Sequence, residues 1–119
     1  MVTRIAFTLY PVVDMVRARA FYEEGLGLVP TSDFVNGQWV EYEPGGRFVL
    51  TTLAPARPAT DAGGNIAFEV EDVAALTDRL RERGAAVLQE VKDTPAFRMS
   101  VVADPEGNAV TLCQQKTLG

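Results

Sequence analysis

The sequence predicts an α+β fold of two βαβββ modules whose sheets form a shared cleft. Three observations carry that prediction. The apolar pattern runs strand, helix and three strands, switching between period 2 and period 3.6, and then repeats that order. A stretch rich in Pro, Gly and Ala, 54–64, separates the two rounds. The tripeptide Ile5-Ala6-Phe7 returns as Ile66-Ala67-Phe68, an internal period of about 60 residues. One helix cannot cover both faces of a sheet, so the two sheets are expected to enclose a cleft, where binding or chemistry would occur.

Taken in order, residues 4–10 (RIAFTLY) are β-branched and aromatic and stop at Pro11, as a strand closing on a proline does. Asp14 can cap the helix that follows, with Val16, Ala20 and Phe21 as its apolar face and Gly25 and Gly27 around its end. Strands are expected at 28–34, 38–43 and 47–53, separated by the turn pairs Asn36-Gly37 and Gly45-Gly46. After the 54–64 linker comes a strand at 65–70. Glu71-Asp72 then opens a helix with Val73, Leu76 and Leu80 on one stripe, ending at Gly84. Strands at 86–91, 97–103 and 109–114 complete the second module, the last two joined by the turn 105–108. The 119 residues are expected to form one domain, with half-modules at about 3–54 and 64–116.

Composition narrows the function classes. Hydrophobic residues make up 47%, enough for a real core. Eleven Lys and Arg against sixteen Asp and Glu give a net charge of −5, which repels phosphate backbones and anionic lipid surfaces. Nucleic acid is therefore not an expected partner. No apolar run approaches the roughly 20 residues that cross a bilayer, and the first ten residues are too short for a secretion signal, so a cytoplasmic location is expected and membrane contact is not. A single cysteine, Cys113, excludes an intramolecular disulfide and suits a reducing compartment. There is no histidine.

The two βαβββ rounds, together with VVDMVRARAFYEEGLGL (12–28), GGNIAFEVEDV (63–73) and DPEGN (104–108), resemble the vicinal oxygen chelate superfamily, which includes glyoxalase I, extradiol dioxygenases and bleomycin-resistance proteins. The resemblance covers essentially the whole chain. It implies a metal site in members that carry His on the first strand of each module and Glu, His or Gln on the last. Here those positions fall on Phe7, Asn65, Thr111 and, on the fourth strand, Leu50 or Thr51. A phenyl ring, an aliphatic chain or a hydroxyl does not coordinate Zn²⁺, Ni²⁺ or Fe²⁺, and a neutral amide is a poor donor. No metal and no other cofactor is expected. The resemblance is closest in character to metal-free, drug-binding members of the bleomycin-resistance type. It implies a homodimer with clefts built across subunits, and Pro11 is suitably placed for exchange of the N-terminal strand.

Candidate ligand-binding residues follow. Alternation puts Trp39 and Glu41 on one face and Val40 and Tyr42 on the other. The Trp39 indole is either a stacking platform for a planar or cationic ligand or a piece of core. Phe34 and Phe48 are open to the same two readings. Phe7 is expected to point into the cleft, as ligand contact or as plug, and Asn65 and Thr111 are candidate hydrogen-bonding groups. Asp33, Glu41 and Glu43 form a local acidic group that would attract a cation or simply be a solvated face. Asp14, Asp72, Glu23 and Glu24 read as caps and surface charges, and Arg98 either reaches the cleft mouth or, on the plainer reading, is an exposed strand residue. Cys113 has no base near it in sequence, so no nucleophilic role is expected.

The leading expectation is non-catalytic binding and sequestration of an aromatic, antibiotic-like and cationic or neutral natural product, with no catalytic residue. The rival is a metal-free isomerase or lyase acting on a small metabolite, with Glu41 or Glu69 as base. A base alone contributes on the order of 10²–10⁴-fold and nothing in the sequence stabilises the anion it would create. A third reading is a scaffold whose cleft is closed by Phe7 and its neighbours.

Overall fold

Asp14 and Asp72 are the helix N-caps that the sequence predicts: each is extended, and its carboxylate accepts from a backbone N–H three residues on, Arg17 and Ala75 respectively, at 3.1 Å. The computed structural model describes residues 1, 3, 6–53, 66–94 and 97–116. The expected linker and the candidate residue Asn65 lie outside the described residues, as do Arg4 and Ile5. The chain divides into two compact units, Met1–Ala59 and Thr60–Gly119. Each is a βαβββ module.

In the first, β1 (Thr8–Pro11), α1 (Met15–Arg19), β2 (Pro30–Phe34), β3 (Trp39–Tyr42) and β4 (Phe48–Thr51) follow in sequence. The sheet order is β1-β4-β3-β2, with β1 parallel to β4 and the other pairs antiparallel. Strand β1 closes at Pro11 and includes it. An edge strand tolerates the missing N–H, and the ladder resumes at Val12, whose N–H donates to the Thr51 carbonyl at 2.8 Å. Helix α1 widens into a π-helix over Ala20–Gly25, where Leu26 N–H reaches back five residues to the Phe21 carbonyl. The buried face is Ala18, Phe21, Tyr22 and Gly25. Val16, expected on that face, is 80% exposed. The true stripe begins two residues later, at a spacing of three and four that the shorter reading from Val16 missed.

The helix covers one face of the sheet. Register pairs Tyr10 with Leu50, Val40 with Leu50 and Tyr42 with Phe48, so these side chains share a face. That face meets the helix through the ring contact of Phe48 with Tyr22 at 5.2 Å, and within the sheet Phe48 packs on Tyr10 at 5.4 Å and Tyr42 at 6.1 Å. Phe48 is therefore the centre of the aromatic core. The expected two-residue turn at Asn36-Gly37 is a four-residue connection from Val35 to Gln38, with Val35 (φ 54°), Asn36 (φ 55°) and Gly37 (φ 80°) all left-handed.

The second module repeats the plan with β5 (Ile66–Glu69), α2 (Val73–Glu82), β6 (Val87–Asp93), β7 (Phe97–Ala103) and β8 (Ala109–Gln115), in the order β5-β8-β7-β6. Helix α2 buries Val73, Thr77 and Leu80. Thr77 Oγ1 donates to the Val73 carbonyl at 2.6 Å and lies 2.8 Å from Ser100 Oγ, which ties the helix to β7. The Gln114 side-chain carbonyl accepts from Val73 N–H at 2.8 Å, a second cap reaching in from β8. In the 104–108 turn, the buried Asp104 carboxylate accepts from Glu106 N–H, Asn108 N–H and Asn108 Nδ2. Among the described residues no helix is long and apolar enough to cross a membrane.

Laying the helices against each other on their caps, Asp14 with Asp72, places Thr8–Pro11 on Ile66–Glu69 and Phe7 on Asn65. The Ile-Ala-Phe tripeptides are therefore out of step with the structural repeat. Phe68 pairs with Leu112 and Leu112 with Ser100, on the side facing α2, as Tyr10 faces α1. Phe7 belongs to the other face.

Candidate functional site

The helix-free face of the first sheet follows from the same register. Trp39 stands opposite Thr51 on one side and Phe34 on the other, and Glu41 stands opposite Val49 and Ser32. Strand alternation thus puts Phe34, Trp39, Glu41, Val49 and Thr51 together. Leu9 joins them through its pairing with Val49. Phe7, 40% exposed, meets the Trp39 ring edge-on at a centroid distance of 5.6 Å and an interplanar angle of 81°. Phe34 is 52% exposed. The result is an aromatic patch of Phe34 and Trp39, from the β2–β3 pair, with Phe7, which precedes β1.

The polar edge of that patch is arranged as well. Trp39 Nε1–H donates to Glu41 Oε2 at 2.9 Å, and Arg47 Nε lies 3.6 Å from Glu41 Oε1. The indole's single donor is therefore satisfied and its ring faces remain for packing. Thr51 is buried, and its hydroxyl donates to the Gln38 carbonyl at 3.0 Å.

Three expectations are corrected here. Phe48, a candidate ligand contact, is 1% exposed and sits on the helix side among Tyr10, Tyr22 and Tyr42, so it cannot touch a molecule lying on Trp39. Asp33 does not join Glu41 and Glu43 in one acidic group. Asp33 pairs in register with Val40, on the helix side, and its carboxylate meets Arg19 at 3.1 Å, whereas Glu41 and Glu43 both meet Arg47, at 3.6 and 3.5 Å. Glu23, expected as a surface charge, accepts from the Tyr42 hydroxyl at 2.7 Å and from Arg19 Nε at 2.5 Å.

That last cluster is what the sequence reading missed. Arg19 and Glu23 are visible as a pair one helical turn apart, but Asp33 and Tyr42 reach them only through the tertiary packing. Burial pushes the Tyr42 phenol well above the ordinary tyrosine range, and its hydrogen bond to the Glu23 carboxylate adds to the shift. The same carboxylate raises the Arg19 guanidinium, through its hydrogen bond and against the opposing effect of burial. A pocket of about 310 Å³ lies nearby, lined by Gly27, Leu28, Val29, Thr31, Tyr42, Glu43 and Pro44. Of the candidate residues read from the sequence, Glu43 lines it.

In the second module Thr111 pairs with Ala67 and Val101 on the helix-free face and is buried. Met99, Cys113 and Glu69 share that face. The register also settles the fourth-strand position. With Thr8 matched to Ile66, Phe48 matches Val110 and Val49 matches Thr111. The counterpart of Thr111 is therefore Val49, and Leu50, one of the two expected residues, faces the helix. Phe7, Val49 and Thr111 offer a ring, an isopropyl group and a hydroxyl, a donor set that does not fit a divalent transition metal. Among the described residues no group of three or more His, Cys, Asp and Glu is placed to hold a metal ion.

The Glyoxalase/Bleomycin resistance protein/Dioxygenase superfamily model matches residues 4–112. This chain belongs to that superfamily. Among solved structures, it is similar to TnmS3, an antibiotic binding protein from Streptomyces sp. CB03234, with 32% identity over 97% of this chain and 98% of that one and a TM-score of 0.78. A glyoxalase/bleomycin resistance protein from the same Streptomyces strain shares 34% identity over 89% of this chain and 96% of that one, with a TM-score of 0.73. UcmS2 shares 27% over 95% and 98%, with a TM-score of 0.75. No curated protein matches the chain. Membership of the superfamily explains the paired βαβββ modules.

Proposed function

We propose that this protein binds a planar aromatic natural product of the antibiotic type and holds it chemically unchanged. The observation that carries the reading is the aromatic patch of Trp39, Phe7 and Phe34 on the helix-free face of the first sheet. Flat, rigid rings bind a planar guest at low cost in conformational entropy. Similarity to TnmS3, an antibiotic binding protein, supports the same ligand class. Phe7, Val49 and Thr111 at the superfamily's metal positions supply no Lewis acid to polarise a carbonyl or hold an enediolate. The catalytic rival would use Glu41 or Glu69 as base, and the Glu41 carboxylate is already engaged by Trp39 and Arg47. We also propose that the protein acts as a homodimer, which sedimentation equilibrium would test.

Trp39 is the chain's single tryptophan, so its emission reports on this face directly. Titration with bleomycin, a mitomycin-type quinone and a quinoxaline peptide is expected to give saturable quenching by at least one of them. Mass spectrometry is expected to recover that ligand unaltered, and Trp39→Leu to abolish its binding in calorimetry. Absence of binding across the panel, or turnover of the bound compound, would overturn the proposal. Complete indifference of Trp39 to every ligand would favour a face closed by Phe7.

A further inference from the structure

We propose that Glu41 is the positioning residue of this ligand face: it holds the Trp39 indole in one orientation, so that recognition rests on stacking and not on a charge offered to the guest. The inference rests on the binding reading above and deepens it. A tryptophan on a strand has a broad second torsion, and an exposed indole samples more than one ring orientation. Here two contacts narrow that freedom. Glu41, two residues on and on the same face, accepts from Nε1–H at 2.9 Å, and a charged acceptor makes the stronger kind of hydrogen bond. Phe7 abuts the ring at 81°. Arg47, at 3.6 Å from the other carboxylate oxygen, in turn faces Glu41.

The carboxylate therefore serves the platform and not the guest. Both of its oxygens face groups of the protein itself, Oε2 the indole and Oε1 the guanidinium. A cationic ligand would have to compete for it with Arg47, which Glu41 shares with Glu43. An uncharged planar ligand gains the fixed ring and loses nothing. The ligand class that follows is a planar aromatic bound without any need for a positive charge.

The test compares wild type with Glu41→Ala and Glu41→Gln in two stages. Without ligand, time-resolved anisotropy and near-ultraviolet circular dichroism report the order of the Trp39 ring. Glu41→Ala is expected to free it, and Glu41→Gln, whose amide oxygen still accepts from Nε1–H, to retain it. With ligand, a quinoxaline peptide serves as the uncharged probe and bleomycin as the cationic one. Glu41→Ala is expected to weaken whichever of them binds by about tenfold, the scale of re-immobilising one side chain, and Glu41→Gln to restore it. An unchanged ring signal in Glu41→Ala would overturn the inference. So would a Glu41→Gln protein that loses bleomycin while keeping the quinoxaline peptide, the signature of a counter-charge. Should Glu41→Ala fail to fold, Glu41→Gln carries the same decision through the two probes. If the ring signals behave as expected and neither probe binds wild type, the positioning role stands and the binding proposal falls.

Discussion

Replacing Phe48 by alanine tests the separation of the two faces of the first sheet. The ring is 1% exposed and touches Tyr10, Tyr22 and Tyr42 at centroid distances of 5.4, 5.2 and 6.1 Å. Truncating a buried phenylalanine costs about 3–5 kcal/mol through lost transfer energy and the cavity left behind. Aromatic pairs add about 0.5–1.5 kcal/mol each beyond their area, which places Phe48→Ala in the upper half of that range. Against a typical stability of about 5–15 kcal/mol this is a large loss. Phe34→Ala, on the opposite face and half-exposed, is expected to cost about 1 kcal/mol or less. Urea unfolding followed by Trp39 emission, which reports on the same module, measures both. The folded fraction of Phe48→Ala is expected to keep the ligand affinity of wild type, and Phe34→Ala to lose part of it. A cost below about 1.5 kcal/mol for Phe48→Ala, or equal costs for the two variants, would refute the assignment of faces.

Three further outcomes are expected. The Tyr42 phenol is raised by burial and by donation to Glu23, so its contribution to stability is fully present below the ordinary value of 10.0 and drains away as pH rises beyond it; Tyr42→Phe is expected to flatten the alkaline limb of a stability-against-pH curve. Lys116 first, and then Arg98, hold the Asp93 carboxyl below its ordinary value of 3.8, so this stabilisation is present above that value and disappears as pH falls through the lowered one. Lys116→Met is expected to shrink the acid limb, read by thermal unfolding between pH 2 and pH 5, on the order of the usual carboxylate range. Gln114→Ala removes the side-chain acceptor on Val73 N–H and is expected to cost about 1 kcal/mol, as loss of a helix cap does, seen as a shift in the urea midpoint at unchanged slope.

Much of the fold was legible residue by residue because the signals are local. Asp14 and Asp72 are caps in the sequence and in the structure, since a carboxylate needs only the next turn's N–H groups to act as one. Strand β7 occupies the predicted span, and the alternation of Trp39 and Glu41 against Val40 and Tyr42 holds because side chains on a strand alternate whatever the strand pairs with. The superfamily resemblance was legible too, through the order and spacing of its motifs.

The candidate site was legible only in part. Trp39 and Phe34 share a face as register requires, and Phe7 reaches Trp39 across the sheet, a contact no local pattern reveals. Phe48 looked no different from Phe34 in sequence, both being strand phenylalanines. Which of them enters the core depends on the pairing of β4 with β3 and β1, a non-local fact. Glu23 read as a surface charge because Tyr42 is distant in sequence, and the register match that makes Val49 the counterpart of Thr111 needs both parallel strand pairs.

By itself, then, the sequence determined what depends on neighbours along the chain: the order of elements, the caps and the faces within each strand. Only the tertiary structure decided which face of the first sheet the helix covers, and with it that Phe48 is core, that the Trp39 and Phe7 rings are in contact, and that Glu41 is bound to the indole it follows. The physical reason is that period and propensity act over a few residues, whereas burial and partnership are decided by strand register, which one residue of slip would invert.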